Sequence, residues 1–255
     1  MSRTYEELKA GFERIEAAQA CRNLMGKYSY LHTAMRNIDF MNLWANREDD
    51  ILAMPWGYYL GIEGVRKCYL EDHGDRSDPQ VQDSPIFKGG MMMHAMDTAV
   101  VEVAKDGKTA KGVWLSPGHE SCYIPDFSKF PDWKKGDPLP ENLEIMSSCE
   151  WAWSKYYVDF IKEDGEWKFW KLRLWPIYKT DFYVPWTQHP DMDEVDFPFH
   201  NHKALPEPNW AWNKETVYPA GQPEPPVPYE HYEDAVPELW ESFVSVSYTH
   251  LRAHE

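Results

Sequence analysis

From Leu8 to Leu31 the apolar positions recur at mostly helical spacing: Leu8, Phe12, Ile15, Leu24, Tyr28 and Leu31. Thr4-Tyr-Glu-Glu7 precedes them with the residues of a capping box, in which hydroxyl and carboxylate satisfy early helix N–H groups. The pattern predicts a long helix over about 4–34. "IDFMNLWA" (38–45) predicts a second, short helix with Asp39 as a cap. "DILAMPWGYYLG" (50–61) reads as short extended segments broken by Pro55 and Gly57, and "IEGVRKCYLEDH" (62–73) as a third helix before a polar loop over 74–88.

The period then changes from helical to alternating. "TAVVEVAKDGKTAKGVWL" carries Asp106-Gly107 between strand-like runs, and "KYYVDFIKEDGEWKFWKLRLW" carries Asp164-Gly165, each a hairpin signal. Residues 123–146 between the hairpins read as a loop over the sheet. After Ile177 the periodicity stops, and 179–245 is rich in proline and aromatic residues, a composition unlike a disordered linker. Helices followed by antiparallel strands predict an α+β fold, a cone-shaped curled sheet packed around the N-terminal helices. Residues 1–178 form that domain, and 179–245 a wrapping extension. No internal repeat is visible.

The strand "GGMMMHAMDTAVVEV" (89–103) holds His94 and Asp97 among apolar residues, where polar groups need partners or a use. With Asp106-Gly107 as the turn, Val103 meets Ala110, Glu102 meets Lys111 and Val100 meets Val113. Carried inward, that register sets His94 opposite His119. A bulge would shift the pairing, and Pro117-Gly118 is the site the sequence offers for one, but even then the two imidazoles are expected to be near neighbours. On the same count Met92, Met96, Thr98 and Val100 share the His94 face. Two imidazoles in an apolar wall suit proton transfer near neutral pH.

Composition narrows the function classes. The chain has 255 residues, a formal net charge of −16, and 13 Trp, 15 Tyr and 11 Phe, enough for a core and an aromatic pocket. That charge argues against nucleic acid and against anionic membranes as partners. No apolar run approaches the roughly 20 residues of a membrane span, and no signal-peptide pattern opens the chain. Cys21, Cys68, Cys122 and Cys149 lack CxxC spacing and read as reduced, mostly buried thiols of a cytoplasmic protein. No phosphate-cradling, zinc-protease or nucleophile-elbow motif is present, so no cofactor is expected. His200 and His202 stand two apart without a matching third ligand, so no metal is expected either. "VSYTHLRAHE" (246–255) is what a transposase adapter from sequencing libraries encodes, and is read as an artefact.

Three stretches carry a family resemblance: "MGKYSYLHTAMRNIDFMNLWA", "MMMHAMDTAVVEVAKDGKTAKGVWLSPGHES" and "DFIKEDGEWKFWKLRLWPIYKTDF". Over about residues 8–183 the chain resembles the SnoaL-like branch of the nuclear transport factor 2-like superfamily, most closely the scytalone dehydratases. The resemblance implies a cavity in the cone and two active-site histidines, matching His94 and His119. It implies cofactor-independent dehydration or double-bond migration on a cyclic hydroxy-ketone of polyketide, terpenoid or steroid type. His94 would be the base, and His119 would bind or protonate the departing hydroxyl. Tyr30 and Tyr58 would donate to the enolate, with either Tyr28 or Tyr30 entering the cavity. Trp56, Tyr58 and Trp114 are candidate walls.

The chain departs from the family in three places. The carboxylate expected on the first helix is missing, since Tyr28 and Tyr30 are followed by Thr33 and Met35, with His32 nearby. Asp97 stands where relatives tend to carry Asn or His, and is a candidate to orient an imidazole. Tyr156 stands near a substrate-binding Asn of scytalone dehydratases. The alternative reading is a non-catalytic small-molecule-binding or assembly module, which His94 and His119 facing different sides would favour. A third is a partner subunit of a ring-hydroxylating oxygenase. The expected partners are a small-molecule substrate and further copies of the chain, as a dimer or trimer.

Overall fold

The computed structural model describes residues 3–77, 89–134, 137–188, 210–235 and 240. Helix α1 spans Tyr5–Thr33. Its capping box forms as the sequence predicts: Glu7 N donates to Thr4 Oγ1 at 3.2 Å and Thr4 N to Glu7 Oε2 at 2.7 Å. The apolar positions of α1 do not share one face, however. Leu24, Met25, Tyr28 and His32 face the core, whereas Tyr5, Leu8, Phe12, Ile15 and Tyr30 are exposed. At about 100° per residue the two sets lie on opposite sides of the helix.

Helix α2 is Asn37–Met41, shorter than its pattern predicts. Strands β1 (Ile51–Met54) and β2 (Gly57–Leu60) follow as an antiparallel pair. Helix α3 (Gly61–Arg66) continues as a π-helical segment over Lys67–Asp72. The remaining strands are β3 (Met91–His94), β4 (Asp97–Val103), β5 (Thr109–Ser116), β6 (Gly118–Asp126), β7 (Glu144–Glu163) and β8 (Glu166–Asp181). The stretch read as a loop over 123–146 is strand only at its two ends: β6 runs to Asp126 and β7 starts at Glu144. Strand β8 continues past 178, where the domain was expected to end.

The strands form one curled, unclosed sheet of eight, in the order β2-β1-β8-β7-β5-β4. Strand β1 joins β8 in parallel; the other pairings are antiparallel. β7 is the spine. Its later half pairs with β5, its earlier half with β6, and β6 pairs with β3. The β7–β8 turn has φ of 50° at Asp164 and 84° at Gly165, the left-handed pair a two-residue hairpin turn requires.

The inner face of the curl packs on α1. Phe160, Phe169, Leu172 and Phe40 are fully buried there with Tyr28 and Tyr156. Each such side chain contributes about 1.5–3 kcal/mol by leaving water. Trp114 belongs to this core too. On the outer face, Ile51, Ala53, Tyr157 and Trp175 pack with Trp240 and Trp210 from the C-terminal region, and Tyr58 joins them. Lys105 N and Asp106 N donate to the carbonyls of Tyr229 and Glu230, and Trp212 N to that of Ile177. Residues 246–255 lie outside the described residues, as do His200 and His202. Of the described cysteine side chains, Cys21 and Cys68 are buried and Cys149 is exposed, and all three are free thiols.

Candidate functional site

The register of the β4–β5 hairpin is the one the turn predicts: Val103 meets Ala110, Glu102 meets Lys111 and Val100 meets Val113. It does not survive to His94. The pairing shifts between Asp97 and Val100, where Thr98 takes a φ of 53°. This bulge places one extra residue in β4, and a one-residue slip moves every later side chain to the other face. The sequence offered Pro117-Gly118 for a bulge, yet β5 and β6 keep one continuous register against β7 through Pro117. Beyond Thr98, Val101 and Val103 enter the core and Val100 is exposed, reversing the expected faces.

The slip re-sorts the histidines. His94 pairs with Gly118, and His119 pairs with Met93. His94 and His119 thus face opposite sides of the sheet. The His119 ring packs 4.4 Å from Trp151, which stacks on Phe182. The slip also pairs Met92 with Glu120, which brings Glu120 to the His94 face.

His94 Nε2 lies 3.2 Å from Glu120 Oε1, both side chains nearly enclosed at 10% and 13% exposure. Glu120 Oε2 accepts from Lys179 Nζ at 2.8 Å, and Lys179 reaches Glu150 at 3.1 Å. Burial alone would raise the Glu120 carboxyl. The His94 contact and the Lys179 charge outweigh it and hold the pKa at about 2. Lys179 is pushed above its usual value, because two carboxylates overcome its desolvation. The remaining ring nitrogen of His94, Nδ1, is buried without a hydrogen-bond partner. Ser29 Oγ donates to the His94 carbonyl at 2.6 Å and ties β3 under α1.

His32 stacks between Tyr28 and His94, with ring centroids 5.3 and 6.1 Å away. Burial, reinforced by His73 and His94, lowers its pKa to about 3, so it is neutral at physiological pH. Its Nδ1 lies 3.2 Å from Asn37 Oδ1. The hydroxyls of Tyr28 and Tyr156 meet at 3.2 Å in the same interior. Burial pushes Tyr28 up to about 12 and Tyr156 well above the usual phenol value, so both remain protonated donors.

The other predicted site residues divide clearly. Tyr30 is 82% exposed on the opposite side of α1, so Tyr28 is the helix tyrosine that enters. Asp97 is exposed at the bulge, and the carboxylate beside the imidazole is Glu120. Trp56 borders the interior, its Nε1 donating to Tyr59 at 2.9 Å and its ring 5.7 Å from His73. Tyr58 belongs to the outer cluster. Sequence reasoning missed Glu120, Lys179 and Glu150. The one available signal was a glutamate beside a histidine in a strand, and the unslipped register turned it away from His94.

Among the described residues no group of three or more His, Cys, Asp or Glu side chains could hold a metal ion. No helix among them is long and apolar enough to cross a membrane. A groove of about 500 Å³ lies between Trp151, Trp153, Tyr178, Phe182 and Trp186.

No family model matches the sequence, and no curated protein matches it. Solved structures do. A candidate scytalone dehydratase from Novosphingobium aromaticivorans DSM 12444 is 16% identical, covering 66% of this chain and 88% of that one, with a TM-score of 0.42. A hexachlorocyclohexane dehydrochlorinase, LinA-type3 from Novosphingobium barchaimii LL02, is 15% identical over 71% of this chain and 99% of that one, with a TM-score of 0.46. A nuclear transport factor 2-like protein from Salmonella enterica is 10% identical over 67% of this chain and 97% of that one, with a TM-score of 0.43. Likenesses this distant describe what the chain is similar to and assign it no chemistry.

Proposed function

We propose that the chain is a SnoaL-like member of the nuclear transport factor 2-like superfamily and a cofactor-independent lyase or isomerase acting on a cyclic hydroxy-ketone. The observation that carries this reading is the buried His94, anchored through Nε2 with Nδ1 left over. In the proposed reaction Nδ1 takes the proton beside the substrate carbonyl, and the C–H electron pair moves into the enolate. The hydroxyls of Tyr28 and Tyr156 donate to the enolate oxygen. Return of the electron pair expels the β-hydroxyl, which leaves as water with the same proton from His94. In isomerisation that proton returns to another carbon instead. One histidine serves as base and then acid, so His119 is not needed across the sheet.

Loss of the α-proton signal of cyclic hydroxy-ketones in D₂O, followed by NMR, tests the reading without the natural substrate. Exchange should be catalysed by the wild type and should fall by about 10²–10⁴-fold in His94→Asn. Exchange unchanged in His94→Asn would overturn it.

A second reading, a non-catalytic small-molecule-binding or assembly module, is favoured by one observation: His94 and His119 face opposite sides of the sheet. In that reading the ligand takes the outer aromatic groove. Binding of a flat ketone that quenches Trp fluorescence, with no proton exchange, would support it.

A further inference from the structure

We propose, resting on the reading of His94 as the proton-transferring group, that Glu120 and Lys179 together are its positioning unit. Glu120 anchors Nε2 so that Nδ1 is the basic nitrogen, and Lys179 anchors Glu120. A carboxylate only accepts hydrogen bonds, so the ring nitrogen facing Glu120 Oε1 at 3.2 Å carries the hydrogen. A neutral imidazole has one N–H, which leaves the lone pair on Nδ1. That atom is buried with no partner of its own. Directly across the strand pair stands Gly118, where a β-carbon would fall 2.7 Å from Nδ1. The absence of a side chain there lets the ring lie in this orientation.

The charges around the ring support the same assignment. Glu120 on β6 and Glu150 on β7 carry two negative charges, and Lys179 on β8 carries one positive charge between them. His32 on α1 faces the ring as a neutral group, with His73 of the segment after α3 behind it. The cluster, in which His94 and Glu120 are nearly enclosed and Lys179 and Glu150 partly exposed, reaches neutrality only when His94 takes a proton. A neighbouring carboxylate stabilises the imidazolium that forms during the reaction, as it does in other histidine–carboxylate pairs. Lys179 keeps Glu120 from competing for that proton. Both act through His94 and neither is given a bond to substrate.

The test is long-range ¹H–¹⁵N correlation NMR of the ring nitrogens in the full-length labelled chain, followed against pH and assigned by loss of the signals in His94→Asn. The neutral wild-type ring should be the Nε2–H tautomer. Glu120→Gln should lower its titration midpoint by about 1–3 pH units. Lys179→Met should raise the midpoint, because a nearby positive charge is lost. In the exchange assay Glu120→Gln should lower kcat while leaving KM near the wild-type value. An Nδ1–H tautomer in the wild type overturns the proposal, and so does a midpoint that neither variant moves. The wild-type tautomer and Lys179→Met decide the matter even where Glu120→Gln fails to fold. If no ketone exchanges while tautomer and midpoints behave as stated, the catalytic reading fails and the positioning unit stands.

Discussion

His94 faces Gly118 across the β3–β6 pair, and a β-carbon on Gly118 would lie 2.7 Å from Nδ1 and 2.4 Å from the Ala152 carbonyl oxygen. Backbone cannot yield easily on one side, so Gly118→Ala displaces the imidazole or strains the strand. The expected cost is about 1–3 kcal/mol in urea unfolding, with a large loss of exchange activity. A variant as stable and active as the wild type would place the ring elsewhere.

His32 makes stability depend on pH. Its folded pKa of about 3 lies below the ordinary value of 6.5. Between those values the unfolded chain binds a proton that the folded chain does not, so stability falls as pH falls from about 6.5 toward about 3. Glu120 acts lower, its contribution being lost as pH falls from about 4.5 toward about 2. His32→Gln removes the titration and retains an amide for Asn37. Urea unfolding should therefore show a flatter stability curve between about pH 6.5 and 4.5, and an unaltered slope would refute the assignment.

The Tyr28–Tyr156 hydroxyl pair is buried on both sides. Tyr28→Phe and Tyr156→Phe should each cost about 1–3 kcal/mol, since each leaves one hydroxyl unpaired. The double variant should cost less than the sum, which a thermodynamic cycle reads directly. Tyr30→Ala, on the exposed side of the same helix, should change stability by less than about 0.5 kcal/mol.

Outside the curl, Lys111 Nζ meets Asp159 Oδ1 at 3.3 Å with both side chains buried. Tyr232 donates to the other Asp159 oxygen at 2.7 Å, and Lys171 donates to Tyr232 at 2.9 Å. These contacts hold the C-terminal region to the sheet. Lys111→Met leaves Asp159 without its cation and should cost about 3–5 kcal/mol. Limited proteolysis should then cut within 210–240 sooner than in the wild type.

Thr98 is β-branched and left-handed, a conformation that costs about 1–2 kcal/mol for residues with a β-carbon. Thr98→Gly should relieve part of that strain. The melting temperature should hold or rise, and a clear fall would mean the Thr98 side chain is needed at the bulge.

What could be read from the chain divides at Thr98. Asp106-Gly107 and Asp164-Gly165 announce their hairpins through turn chemistry, and the Glu102–Lys111 pair sets the local register. The capping box marks the start of α1 for the same local reason. Nothing local marks the bulge, because a threonine in the left-handed region has no composition signal. Tyr28 and Tyr30 are separated by tertiary packing alone, since both sit on a helix with apolar residues on two opposite sides. Glu120 was hidden by the register error, and Lys179 by a boundary set before β8 had ended.

The bulge also changes what counts as a conservative alteration. Across β3 and β4 the bulge decides which side chains meet. Removing one residue at Thr98 would take out the extra residue and leave His94 opposite Gly118 with Glu120 on its face, whereas flattening the bulge at unchanged length would bring His119 opposite His94 and turn Glu120 to the outer surface. Swapping one residue for another in a way that keeps the bulge would leave every partner where it is. In this strand the bulge is a chemical variable: losing it at unchanged length would exchange a histidine–carboxylate pair for a pair of histidines, and losing it together with its extra residue would not.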